Sequence, residues 1–424
     1  MNPSPPRRSK AGGAKKRPTR YAGNAASAAL ATALRLHKRG DHESARAAYD
    51  AAIAGAPRDV DAWMNKGALA VLAGRAAEAI AAFASATAFA PDNARAARDA
   101  GIGLAAIGEL GGGRGALERA IVLDSSLIGA RLALCRVVAE LGDEAAAIHH
   151  ARCAVRDAPR DASAHVELHR ALFDDRDLGP CLEAAARAVA LDPGHALARL
   201  CLSGALALSG DLHAAAAALG DDGLVATGLR DAIAYATAAR PVASRCFSST
   251  RQTLYFAMNH APPSGLVLEL GVRHGVTLRV LAGASGDPST VHGFDSFAGL
   301  PEPWQGRPAG AFSTGGELPE MPDGVALHAG WFDVTLPRFL ARTSQPLRLV
   351  HIDSDLYSSA RTALRALGPR VRPGCVLVFD EYLGNASWRS DEHRAFREAA
   401  ADFGWRFEEL SLSWLTGQGV VRIL

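Results

Sequence analysis

The stretch LVHIDSDLYSSARTALRALGPRVRPGCVLVFDEY (Leu349–Tyr382) decides the fold. It reads as strand, helix, strand, with acids where each strand ends. RLVHI (348–352) is an apolar run that stops at Asp353. Ala360, Leu364 and Leu367 share one face of a helix over 358–367. Gly368, Pro369, Pro373 and Gly374 punctuate the return. CVLVF (375–379), a continuous apolar run, suits a strand covered on both faces and stops at Asp380-Glu381. In an open parallel sheet, ligands bind beyond the carboxyl ends of the strands. If the two strands are neighbours, Asp353, Asp355, Asp380 and Glu381 converge there. Their repulsion then calls for a cation or a proton between them. A single Asp after a strand more often caps the next helix, and Asp355 suits that role. Two acid-bearing strand ends in succession favour a metal site.

Outward from this stretch, further strand–helix units come into view. LVLEL (266–270) runs into Gly271, a turn to Gly275 and an apolar helix to Leu281. An acid at the strand end, a glycine-bearing turn and a helix start suit a cofactor loop. TVHGF (290–294) ends at Asp295, at the spacing that suits hydrogen bonding to ribose hydroxyls. VALHA (325–329), WRFEEL (405–410) and GVVRIL (419–424) complete a seven-stranded, doubly wound, Rossmann-like α/β domain over 246–424. Gly271 and Gly275 lack a third glycine in register, which argues against a nicotinamide-dependent oxidoreductase. The Gly- and Pro-rich region 302–324 reads as a mobile lid.

The first half follows another rule. Pro57, Pro91, Pro159 and Pro193 fall on a lattice of period 34, with Ser125 in the missing slot. Gly40, Gly74, Gly108, Gly142 and Gly210 fall on a second, with Arg176 as its exception. Ala52, Ala86, Ala120, Ala154 and Ala188 fill a third, and Ala45, Ala79, Gly113, Ala147 and Cys181 a fourth. This period resembles the tetratricopeptide repeat. It implies an all-α solenoid over 25–219: five helix pairs closed by one polar-faced capping helix at about 196–219. His169, at a usually small slot, marks degeneration near the fourth and fifth units. The concave face is an interaction surface for a partner protein, a carrier-bound substrate or another copy of the chain. Residues 220–245 read as a linker, hinge plus short helix, so the two domains are expected to be separable.

Bulk properties bound the rest. The chain of 424 residues is 49% hydrophobic and 21% charged, as soluble globular proteins are. No run is long and apolar enough for a transmembrane span, and no signal core opens the chain. Six scattered cysteines without a CxxC pair point to reduced, packed thiols and a cytoplasmic location. Residues 1–24 carry Arg7, Arg8, Lys10, Lys15, Lys16, Arg17 and Arg20 with no acid, and are expected to form a disordered basic tail. No basic stripe surrounds the acid cluster, which excludes a nucleic-acid acceptor.

The strings ELGVRHGVT, HGFDSFAGLPEPW, AGWFDVTLPRFL, VHIDSDLYSS, VLVFDEY and WRSDEHRAF together resemble the macrocin O-methyltransferase family. The resemblance runs from Arg251 to the C-terminus. It implies a class I fold, S-adenosylmethionine as cofactor, a divalent cation (magnesium) and a sugar hydroxyl as acceptor. It also implies self-association. Carried over to this chain, Glu269, Gly271 and Gly275 line the methionine end of the cofactor. Asp295 holds the ribose, and Ser296 and Gly330 lie near the adenosine. Asp353, Asp380 and Glu381 bind the metal, and Asp353 serves as general base. Glu381 departs from the family, whose members usually carry Asp there, although Glu also offers carboxylate oxygen.

The implied function is methylation of a sugar hydroxyl on a glycan or glycosylated metabolite. The alternative is a non-catalytic scaffold whose methyltransferase fold has decayed, against which the intact acids and glycines speak. His351 reads as a core histidine or as a support for Asp353. His393 reads as an exposed helix residue or an acceptor-side group, and Trp388 as a pocket floor.

Overall fold

The computed structural model describes residues 20–220, 223–239 and 245–424. The tail expected over 1–24 lies outside these residues as far as 19, and Arg20 already opens a helix. The chain pairs α1 (Arg20–Lys38) with α2 (His42–Gly55), α3 (Val60–Leu72) with α4 (Ala76–Phe89), and α5 (Ala94–Ala106) with α6 (Leu110–Leu123). It continues with α7 (Ile128–Glu140) and α8 (Glu144–Asp157), α9 (Ala162–Leu172) and α10 (Gly179–Leu191), and α11 (Ala196–Leu208) and α12 (Leu212–Leu219). The single capping helix expected at 196–219 is thus a sixth pair. Gly210 adopts φ +94°, a left-handed turn that ends one helix and admits another. Nor is its second helix a polar cap, since Ala215 and Leu219 are buried.

The lattices have direct physical counterparts. Gly40, Gly74, Gly108 and Gly142 also take positive φ between paired helices. Ala45, Ala79, Ala86, Ala120, Ala154, Cys181 and Ala188 are fully buried where paired helices meet. Where Arg176 replaces the glycine, α9 stops early at Leu172. The freed loop turns to the C-terminal domain. Asp175 Oδ1 lies 2.7 Å from Arg245 Nη2, and its Oδ2 accepts the Cys246 N–H at 2.8 Å.

His169 is fully buried, and its Nδ1 donates to the Cys181 carbonyl at 2.8 Å. Burial pushes its pKa from 6.5 down to about 4, against the small opposing effect of that bond. Its contribution to stability is therefore full above pH 6.5 and is lost as pH falls from 6.5 to about 4. The loss amounts to roughly 3 kcal/mol. His169→Gln, which keeps a donor for the carbonyl, is expected to flatten the fall in Tm between pH 7.5 and 5. A slope like that of the wild type would remove His169 as the acid-sensitive group.

The expected linker holds α13 (Gly223–Ala239), with Ala232, Ile233 and Ala236 buried. The C-terminal domain follows as α14 (Thr250–His260), β1 (Leu266–Leu270), α15 (Val276–Ser285), β2 (Val291–Asp295) and β3 (Ala326–Ala329). Then come α16 (Phe332–Leu340), β4 (Leu347–Ile352), α17 (Tyr357–Leu367), β5 (Val376–Phe379), α18 (Glu392–Phe403), β6 (Phe407–Ser413) and β7 (Gln418–Ile423). The seven strands run in the order β3-β2-β1-β4-β5-β7-β6, parallel except for β7, which is antiparallel to both neighbours. Strand order reverses between β1 and β4, which makes their carboxyl ends the crevice where such sheets bind ligands.

The two halves share one core, contrary to the expected separability. A continuous apolar cluster joins Phe173, Cys181, Ala207 and Leu219 to Ile233, Cys246, Leu268, Phe379 and Trp414. Three turn glycines of the solenoid and one helical glycine abut the C-terminal domain. Gly74 faces Ser313, Gly108 faces His274 and Val276, Gly142 faces Arg251, and helical Gly204 faces Trp414. A Cβ at any of these would press into its neighbour. The region 302–324 is itself tied to the solenoid, because the Ala77 N–H donates to Glu317 Oε2 at 3.4 Å.

Candidate active site

Four backbone hydrogen bonds carry the sheet past its strand ends and assemble the rim. Gly330 N–H donates to Asp295 O, Gly271 N–H to Phe294 O, Asp353 N–H to Leu270 O and Asp380 N–H to Ile352 O, at 2.8–2.9 Å. Gly271 takes φ +101° with the Asp353 carbonyl against its Cα, so a side chain has no room there.

A cavity of about 180 Å³ lies at this rim. Gly271, Asp295, Ser296, Gly330 and Asp353 line it, together with Arg273, Phe312, Trp331 and Asp355. Asp295 spends both oxygens on backbone. Its Oδ2 accepts the N–H groups of Val272 (2.8 Å) and Arg273 (2.7 Å), and its Oδ1 that of Phe297 (2.7 Å). It therefore staples the loop after β1 to the loop after β2. Phe312 lies between two guanidinium groups, with Arg273 5.0 Å and Arg307 4.7 Å from its ring centroid.

Two of the expected cofactor residues stand back from the cavity. Gly275 (φ +71°) is the N-cap of α15 and lies beneath Met321 and Pro319. Glu269 is fully buried, and its Oε1 accepts from His351 Nδ1 at 2.9 Å. His351 Nε2 lies 3.8 Å from Asp380 Oδ1. Burial alone would lower the pKa of His351, but the carboxylates of Asp380 and Glu269 on either side raise it well above 6.5. His351 therefore stands between the two acids beneath the rim, a supporting role rather than an inert one.

The acids at the rim act on one another. The pKa of Asp353 rises well above the ordinary carboxylate value through burial and then through the charge of Asp380, with Asp355 and Glu392 adding to the effect. Asp355 is pushed up to about 6 by burial and by Asp380. Glu381 is pushed up to about 7 by burial, against the hydrogen bond its Oε2 accepts from Asn385 at 2.8 Å. The expected capping role of Asp355 is not realised. Its backbone is left-handed (φ 61°), Leu356 is the N-cap of α17, and the Asp355 side chain lines the cavity instead.

Glu392 is the residue that reading the sequence missed. It is fully buried at the start of α18. Its Oε1 accepts from Ser354 N–H at 2.9 Å and its Oε2 from Glu381 N–H at 3.1 Å. One side chain thus ties the loop after β4 to the loop after β5. Its only sequence signal is its place within WRSDEHRAF. Two other expectations in that segment fail. Trp388 is 1% exposed and packs on Tyr235 and His393, so it floors no pocket. His393 is buried edge-on against Tyr235, Tyr382 and Trp388, neither on an exposed face nor at the acid rim. The cause in both cases is α13, which covers them.

Residues 268–382, from β1 to the loop after β5, match the family described as a methyltransferase domain, and residues 30–94 match the tetratricopeptide repeat. The chain joins tetratricopeptide repeats to a methyltransferase domain. A tetracenomycin-tailoring enzyme of Streptomyces olivaceus, 8-demethyl-8-(2,3-dimethoxy-alpha-L-rhamnosyl)-tetracenomycin-C 4'-O-methyltransferase, is 34% identical over 87 residues. That match spans 20% of this chain and 29% of the relative. Among solved structures, the calicheamicin methyltransferase CalS11 is 23% identical, with a TM-score of 0.33, over 41% of this chain and 77% of that one. The pilF protein of Pseudomonas aeruginosa is 18% identical, with a TM-score of 0.40, over 47% and 90%.

The oxygen-rich rim of the methyltransferase domain suits a hard divalent cation in its donor chemistry. Among the described residues no three acidic, histidine or cysteine side chains form a ready ligand cluster. What the rim does show is mutual repulsion among Asp353, Asp355 and Asp380, which a cation relieves. Beside them, Gln418 donates from Nε2 to Asp380 Oδ1 at 2.6 Å, and its buried Oε1 has no hydrogen-bond partner among the described residues.

Proposed function

We propose that this chain is an S-adenosylmethionine- and magnesium-dependent O-methyltransferase that acts on a sugar hydroxyl of a glycan or glycosylated metabolite. The meeting of Asp353 and Asp355 with Gly271 and Asp295 in one cavity at the reversal point of the sheet, with Asp380 at the neighbouring strand end, carries this reading. The relative that methylates a rhamnosyl group supports the choice of acceptor.

Asp353, Asp380 and Glu381 would hold the cation, and Gly271, Asp295, Ser296 and Gly330 the cofactor. When bound, the cofactor supplies an electrophilic methyl group and the cation acidifies the acceptor hydroxyl. Asp353 would take the hydroxyl proton as general base. The Glu269–His351 pair holds Asp380 in position from below. Glu392 keeps the two acid-bearing loops at a set separation, and positioning of this kind governs an in-line displacement. The cavity of about 180 Å³ is smaller than small-molecule sites usually are. The solenoid would present a protein-binding concave face, and self-association is part of the same reading. Among the described residues no helix is long and apolar enough to cross a membrane. Four of the six cysteines are fully buried and a fifth lies in the core, as packed thiols do, which suits a cytoplasmic location in this reading.

Calorimetric titration of S-adenosylmethionine into the full chain, with and without magnesium, tests this reading. Binding is expected in both cases, with a heat that changes when magnesium is present. Absence of binding in either condition would defeat it. Asp295→Ala is expected to weaken cofactor affinity about tenfold to a hundredfold, because three buried N–H groups lose their acceptor. Unchanged affinity would remove Asp295 from the cofactor site.

A further inference from the structure

A second and larger cavity, about 850 Å³, lies between the solenoid and the methyltransferase domain. Helices α7, α8 and α9 form one wall and α14 with the segment before it the other. It is not a simple apolar gap. Arg136, Arg170, Arg245 and Arg251 line it, as do Glu140, Glu144, Glu167, Asp174 and Asp175. Four basic groups against five acidic ones leave little net charge, so charge alone does not select the ligand.

Two of the polar groups here, Glu167 and Arg251, are under-used. Glu167 is 7% exposed, yet its nearest guanidinium atoms, on Arg136 and Arg170, lie 3.4 and 3.8 Å away. Those are ion-pair distances, too long for strong hydrogen bonds. Among the described residues, the guanidinium of Arg251 makes one hydrogen bond, donated to Tyr255 Oη at 3.1 Å. Guanidinium carries five donors. The wall also carries aromatic rings, with Phe247 and Phe256 tilted against each other at 5.0 Å.

Planar donors and acceptors in balanced number, beside aromatic rings, match a ligand dense in vicinal hydroxyls and without charge. Guanidinium and carboxylate groups can each bridge two neighbouring hydroxyls, and aromatic faces accept the C–H side of a sugar ring. The volume lies in the range of small-molecule sites and exceeds that of the rim cavity several-fold. Helix α14, which forms one wall of the cavity, packs against β5, the strand that leads into Asp380.

We propose that this interdomain cavity binds an uncharged glycosyl segment of the acceptor, the part that extends beyond the methylated sugar. The inference rests on the sugar-acceptor reading above and adds a role for the solenoid as one wall of the acceptor site.

The test uses the full-length chain and three sets of fluorescein-labelled probes: neutral trisaccharides, uronic-acid trisaccharides and hexapeptides. Binding is read by anisotropy. At least one neutral trisaccharide is expected to bind. Its Kd should rise tenfold or more in Asn259→Trp, which fills the cavity from an exposed position on α14, and in Arg136→Leu. Affinity for S-adenosylmethionine should stay within twofold in both variants. Neutral-saccharide binding indifferent to both substitutions would overturn the inference. So would binding of uronic-acid probes or peptides alone, or of no probe at all. If the wild-type chain fails to bind S-adenosylmethionine in parallel titrations, the methyltransferase reading fails; if it binds, only the assignment of the cavity is at stake.

Discussion

Asp353→Asn should lower the rate of methyl transfer by roughly a hundredfold to ten-thousandfold, the range typical for loss of a positioned general base. The same substitution should leave Tm unchanged or raise it. Asn keeps the shape of the side chain and removes a charge that Asp380, Asp355 and Glu392 oppose. The ladder bond from residue 353 N–H to the Leu270 carbonyl uses backbone only and survives. Activity lost together with several degrees of Tm would mean that Asp353 holds the rim together rather than acts on the acceptor. Activity within a few-fold of wild type would remove it as base and as metal ligand. The measurement is a single-turnover assay beside a thermal melt on the same preparation.

Removal of residues 1–220 should leave an aggregating fragment rather than a free-standing methyltransferase. The fragment would expose Trp414, which now lies against Gly204, and Leu415, which packs with Val166 and Cys201. It would also lose the apolar cover given by Phe173, Ala207 and Leu219. Each large apolar side chain contributes about 1.5–3 kcal/mol when fully buried. A domain stable by about 5–15 kcal/mol cannot lose several such contributions and remain folded. Polar anchors are lost as well: Asp175 on Arg245, the Arg170 carbonyl on Ser248 Oγ at 3.1 Å, and Glu144 on Gln252 Nε2 at 2.9 Å. The full chain should unfold in one calorimetric transition. Two well-separated transitions, or a soluble fragment with full cofactor affinity, would show that the shared core is dispensable.

Much of the molecule was legible in advance because its signals are local. A glycine at positive φ, a proline after a helix and an alanine on the inner face are each dictated within a few residues, and a period of 34 repeats the message. Apolar runs that end in acids located the strands of the sheet and hence the rim. Gly271, Asp295, Ser296, Gly330 and Asp353 meet at one cavity because strand ends in a parallel sheet share an edge. Glu269, on β1, and Gly275, in the turn that follows it, stand back from the cavity. Alternation along a strand does not say which of its two faces a ligand will use.

The sequence by itself determined the two architectures, the order of the strands along the chain and the acids at their ends. Tertiary structure alone decided how these parts act on one another. It placed His351 between Glu269 and Asp380, because β4 runs beside β1 and the acid-bearing end of β5. It set Glu392, from the start of α18, between two loops distant in sequence. It laid α13 over Trp388 and His393 and turned the glycine corners of the solenoid onto the catalytic domain. Such contacts depend on the shapes of surfaces far apart along the chain, which side-chain periodicity and local backbone preference do not encode.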